Sequence, residues 1–134
     1  MPYKFEQLEV WKLALDYIDL VYKLAENLPR SEDFNLKSQI TRAATSVALN
    51  IAEGSQGQSD AEQARFVGMS LRSLVETVAR QEIIRRRGYL QDETILNKAY
   101  ENSQTLARKL QSFRKSITSY QVKEDSPLYG EDRL

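Results

Sequence analysis

Four blocks of apolar residues recur at spacings of three and four along this chain, and breaker residues separate them. That period is the helical one, because residues three and four apart share a face of an α-helix. In the first block Leu8, Trp11, Leu15, Ile18, Tyr22 and Ala25 form one seam, and Val10, Ala14, Tyr17, Val21, Leu24 and Leu28 run beside it. In the last, Leu96, Ala99, Ser103, Leu106, Leu110, Phe113 and Ile117 keep the spacing throughout. Only five glycines and three prolines are present, with no Asn-Gly or Asp-Gly pair, so a sheet would have few places to turn. The pattern predicts an all-α fold with helices at about 5–27, 32–53, 59–87 and 92–119.

The breaks carry helix-end chemistry. Leu28-Pro29-Arg30-Ser31 interrupts the first block, and Ser31 with Glu32 and Asp33 offers a cap and first-turn acids. Gly54 is the residue type suited to a left-handed C-terminal cap. Ser59-Asp60-Ala61-Glu62 reads as a capping box opening the third helix, whose inner face is expected to hold Phe66, Ser70, Leu74, Val78 and Ile84, widened by Val67, Leu71 and Val75. Gly88 is expected to close that helix. Short connections make sequential helices antiparallel, giving an up-down-up-down four-helix bundle over residues 1–120. Residues 121–134, with Pro127, Gly130 and mostly acidic charges, are expected to be a flexible acidic tail.

Helix 1 carries more apolar surface than one monomeric bundle hides, and helix 2 has only Lys37 and Arg42 charged between Leu36 and Ala52. Such an excess predicts a homo-oligomer. A thick core within the monomer would also account for it.

The chain contains no cysteine and no histidine. Thiolate chemistry, disulfides and the commonest metal ligands are therefore absent from its repertoire. Carboxylates on facing helices suggest a di-metal bundle site only where Glu-x-x-His ligands complete them. The expectation is a non-enzymatic protein with no metal and no cofactor. No stretch approaches the roughly 20 apolar residues of a membrane span, and no signal segment opens the chain, so a cytoplasmic protein without membrane contact is expected.

Two sets of polar residues are candidates for function. Gln39, Arg42, Ser46, Asn50 and Glu53 form a stripe on helix 2, and Ser73, Glu76 and Arg80 a shorter row on helix 3. Arg42 is expected to pair with Glu53 or Glu76 and fix which helices face one another, with Asn50 satisfying backbone groups near a helix end; such groups set register or assembly. The second set is basic. Nineteen basic residues balance nineteen acidic ones overall, yet residues 85–123 carry nine basic against three acidic. Arg85, Arg86 and Arg87 end helix 3, and Arg108, Lys109, Arg114 and Lys115 lie along helix 4. These are candidate phosphate contacts, for RNA or DNA. A solvated helix face would carry the same residues, which leaves a structural or protein-interaction scaffold as the alternative.

Phe5 through Trp11 (Phe-Glu-Gln-Leu-Glu-Val-Trp) and Leu36 through Gly54 (Leu-Lys-Ser-Gln-Ile-Thr-Arg-Ala-Ala-Thr-Ser-Val-Ala-Leu-Asn-Ile-Ala-Glu-Gly) resemble the signature of a bacterial family. It is the four-helix-bundle family first associated with intervening sequences in 23S ribosomal RNA genes. Ser-Leu-Val-Glu at 73–76 and Gly88-Tyr89-Leu90 fit as well, and the resemblance covers about residues 3–118. It implies an up-down bundle commonly assembled as a ring-like homopentamer. It also implies kinship with the accessory variability protein of diversity-generating retroelements, which binds nucleic acid and works with a reverse transcriptase. A nucleic-acid enzyme of that kind is therefore an implied partner. Thr41 stands where a second basic residue often precedes Arg42, and Met69-Ser70 replaces the more usual small residues.

Overall fold

The structure is a computed structural model that describes residues 3–57 and 59–125, with side chains through residue 118. A 3-10 turn at Lys4–Gln7 leads into α1 (Glu9–Glu26), and another at Arg30–Glu32 leads into α2 (Leu36–Ser55). α3 (Asp60–Arg87) and α4 (Thr94–Asp125) complete the order, and no strand occurs among the described residues. Leu8 is extended (φ −74°, ψ 133°), which moves the start of the first helix from the expected position 5 to 9. α4 continues to Asp125, into the segment expected to be tail. The remainder of that expected tail, 126–134, lies outside the described residues.

The helix ends follow local chemistry. Ser59 Oγ accepts the Glu62 N–H at 3.1 Å and caps α3. Gly88 closes that helix at φ +70°. Asp92 Oδ1 accepts both the Thr94 N–H (2.9 Å) and the Thr94 hydroxyl (2.6 Å) at the start of α4. Ser31 does not cap helix 2. Its neighbour Glu32 does that work by accepting the Leu36 N–H (3.3 Å) and the Asn35 amide (3.0 Å) through Oε1. Gly54 is also not a left-handed cap. It lies inside α2, where a Cβ would come 2.8 Å from Phe66 Cβ. The glycine is there because α2 and α3 converge toward their connecting loop.

Side-chain pairs fix the topology. Ser46 meets Ser73, Ser70 donates to the Val47 carbonyl and Arg80 to Gln39, so α2 and α3 run in opposite senses. Arg85 reaches Asn97, and Arg114 lies over Gly68, so α3 and α4 do too. α4 returns to pack against α1 and closes the ring. This arrangement of four helices is consistent with an up-down-up-down bundle.

The core uses one of the two helix 1 seams. Val10, Ala14, Tyr17, Val21 and Leu24 are buried, together with Ile40, Val47, Ile51, Leu74, Ile84, Leu96, Leu106 and Leu110. The other seam stays half-open, with Leu15 40% and Tyr22 48% exposed. On α3 the inner face is rotated from the expected one. Thr77 and Gln81 are buried, while Val75 is 66% exposed.

Thr77 and Gln81 enter the core because they satisfy one another through Tyr17. Gln81 Nε2 donates to Tyr17 Oη (2.6 Å), which lies 2.6 Å from Thr77 Oγ1, which donates to the Leu74 carbonyl (2.6 Å). With Thr77 already donating, the phenol must be the donor to it. Burial pushes the Tyr17 phenol up to about 12, although both side-chain bonds pull the other way.

Candidate nucleic-acid interface

The seven cations read from the sequence separate into two places. Arg85 is committed to holding α3 against α4, with Nη1 2.7 Å from Glu93 Oε1 and Nη2 2.9 Å from Asn97 Oδ1. Arg87 belongs to a latch between two loops. Its guanidinium lies 5.6 Å from the Tyr89 ring, and the Tyr89 hydroxyl donates to Glu32 Oε2 at 2.6 Å. The Tyr89 bond, then the Leu36 amide, hold the Glu32 carboxyl below its usual range. Arg86 is exposed at the same end of the bundle.

Arg108, Lys109, Arg114 and Lys115 lie toward the other end of α4. Asn97, the contact of Arg85, precedes Arg108 by eleven residues, about 16 Å of helix. At 100° per residue Arg108 and Lys115 share the outermost face, two turns and about 10 Å apart. Lys109 turns toward α1 and pairs with Glu9 at 3.5 Å. Arg114 turns toward α3, where its guanidinium packs over Gly68; a Cβ there would come 3.1 Å from Arg114 Cζ. A mid-helix glycine costs about 1 kcal/mol relative to alanine, and here it makes room for the guanidinium.

The same register adds two cations that the sequence reading missed. Arg65 and Arg72 stand one turn to either side of Gly68 on the outer side of α3, both exposed. Their spacing of seven residues was visible in the sequence, but nothing there said that α3 would lie beside this stretch of α4. The combined face is free of acids over a long span. α3 carries no carboxylate between Glu62 and Glu76, and α4 none from Asn102 to Lys123. Among the described residues, no carboxylate comes within ion-pair distance of Arg65, Arg72, Arg108, Arg114 or Lys115.

The polar stripe between α2 and α3 is assembled, with different pairing from that expected. Ser46 and Ser73 hydroxyls meet at 3.0 Å, and the Asn50 amide donates to the Ser46 carbonyl (2.9 Å) and hydroxyl (3.1 Å) within mid-helix rather than near an end. Arg42 does not pair with Glu53 or Glu76. Glu76 is taken by Arg80 at 3.4 Å, four residues along its own helix, and Arg80 Nε reaches Gln39 at 3.5 Å. Arg42 is exposed at the rim of this groove, and Glu53 is exposed outside it. The stripe therefore aligns two helices through hydroxyls and amides.

A sequence profile of the 23S rRNA-intervening sequence proteins matches residues 6–112, most of the bundle. The chain belongs to that family. No curated protein matches it. A solved structure from Bacteroides thetaiotaomicron, described as a protein with unknown function from the S23 ribosomal protein family, superposes with a TM-score of 0.71 at 26% identity. The match covers 79% of this chain and 95% of that one. This member of the 23S rRNA-intervening sequence family thus shares its fold with a solved relative; of the basic α3–α4 face, Arg65, Arg72 and Arg108 lie within the matched residues, and Arg114 and Lys115 lie beyond them.

Proposed function

We propose that this chain is a non-enzymatic, homo-oligomeric adaptor that holds RNA or DNA by its phosphates on the outer face of α3 and α4. The observation that carries the reading is the acid-free face with Arg65, Arg72, Arg108, Arg114 and Lys115. Five cations without facing carboxylates raise the local potential even though the chain is neutral overall, and phosphate contacts of this kind release counterions on binding. The contact is to backbone, not bases, so the adaptor accepts many sequences.

Assembly uses the opposite side of the bundle. Leu15 and Tyr22 of α1 and Leu49 of α2, which is 55% exposed, lie on the α1–α2 face. In a bundle with ring order α1–α2–α3–α4 that face is diagonal to the basic one, so copies that meet there leave the phosphate surfaces outward. The family resemblance suggests a pentamer, a cytoplasmic setting and a nucleic-acid enzyme such as a reverse transcriptase as partner.

The test is fluorescence anisotropy of mixed-sequence RNA and duplex DNA, with the protein and with a variant carrying Arg108, Lys109, Arg114 and Lys115 as Glu. The adaptor reading expects binding that the variant abolishes while its helical circular dichroism stays unchanged. Absence of binding to either ligand at low salt would instead favour a scaffold for protein partners, the reading that the exposed Val75 and Phe34 (96% exposed) support.

A further inference from the structure

We infer that the cleft between the start of α1 and the second half of α4 receives one unstacked base of a single strand, and that Glu9 selects a base bearing an exocyclic amino group. The strand rests on the adaptor reading, whereas the nucleotide site stands or falls by itself. The cleft has a volume of about 500 Å³, within the ordinary range of small-ligand sites. It exists because the two helices end at different levels. α1 begins at Glu9, which stands beside Lys109, whereas α4 runs on to Asp125. The 3-10 turn that precedes α1 packs against α1 and α2.

The lining matches a nucleotide part by part. Arg108 and Lys109 supply cations for its phosphate. Arg108 meets only the Thr105 hydroxyl, at 3.5 Å, and it shares the outermost face of α4 with Lys115, so a strand held on that face passes the mouth of the cleft. Leu8, the buried Val10 and the half-buried Phe113 give apolar walls, and an aromatic ring is what an unstacked base packs on. Ser103, Ser116 and Thr118 turn their hydroxyls back to carbonyls of α4, whereas Ser112, which lines the cleft, makes no such bond among the described residues.

Glu9 narrows the ligand class. It is the one carboxylate among the lining residues, and it repels a bare phosphate or an acidic peptide. A carboxylate accepts instead from the amino group of a base, as from cytosine N4. Uracil presents a carbonyl oxygen at that position. The 3.5 Å pairing with Lys109 holds the carboxylate beside a phosphate-binding cation, so one nucleotide can meet both. A duplex must unpair a base to present it, and the cleft therefore favours single strands.

Amide chemical shifts of the isotope-labelled full chain test the site, with cytidine 5′-monophosphate, uridine 5′-monophosphate and inorganic phosphate titrated in turn. The cytidine compound is expected to move amides at residues 8–10 and 108–113 with a Kd of about 1 mM, and the uridine compound to bind about tenfold more weakly. No shift at these residues, or equal shifts with inorganic phosphate, would overturn the proposal. For the strand, fluorescence anisotropy with short oligocytidylate and oligouridylate compares the wild type with E9A, a change at an exposed side chain. The wild type should prefer oligocytidylate about tenfold. E9A should bind the two alike, with no loss for oligouridylate, because the charge removed is negative. A preference missing from the wild type, or kept in E9A, would overturn the role of Glu9. Failure of the wild type to bind either oligomer would strike the adaptor reading and leave the monophosphate shifts to decide the site.

Discussion

Tyr17 concentrates what one residue does for this fold. Its hydroxyl crosses the core from α1 to α3, accepts from Gln81 and donates to Thr77. Tyr17→Phe keeps the ring's packing but leaves the Gln81 amide buried without its acceptor, a loss of about 1–3 kcal/mol. The phenol also makes alkaline stability depend on pH. Its folded value is raised from the ordinary 10 to about 12, so the folded state holds the proton more tightly than the unfolded chain. That contribution is fully present below pH 10 and is lost as pH rises through 12. Thermal melts across this window should fall more steeply for the wild type than for Tyr17→Phe. Parallel curves would show that the phenol is not protected in the core.

At the scale of the helices, the α2–α3 corner is set by a missing side chain. A Cβ at Gly54 would overlap Phe66 Cβ, an atom fixed next to the backbone, so Gly54→Ala must push the two helices apart. The expected cost is about 1–3 kcal/mol despite alanine's better helix propensity, read as a lower denaturant midpoint. A gain in stability would mean that the corner relaxes freely. Gly54 also shows what was legible in the sequence and what was not. Four helices, their order and the caps at Ser59 and Gly88 were readable because the signals are local. Gly54 looks like a cap in the sequence because the reason for it, Phe66, lies on another helix. The two seams of α1 looked equivalent, and only packing decided that Tyr17 goes inward and Tyr22 stays half-exposed. The basic cluster at Arg85–Arg87 looked like one surface with α4, whereas Arg85 and Arg87 are spent on contacts within the bundle. Arg65 and Arg72 could be found only once the α3–α4 register was known.

At the scale of the whole molecule, the proposed adaptor would have an assembly side and a phosphate side on opposite faces of the bundle. Replacing Leu15, Tyr22 and Leu49 by Glu should lower the oligomeric mass in light scattering while leaving the helical spectrum intact, since none of the three is buried. An unchanged mass would remove the α1–α2 face from the assembly. The phosphate side is the central claim, and the salt dependence of nucleic-acid binding tests it most directly. Log affinity against log salt should be steep for the wild type, and each phosphate contact contributes about 0.9 to the slope on duplex DNA. Changing Arg65, Arg72, Arg108 and Lys115 to Gln should flatten it by up to about 3 to 4, whereas Arg86→Gln at the opposite end should leave it unchanged. A slope insensitive to the four α3–α4 substitutions, or one that Arg86→Gln flattens instead, would contradict the account.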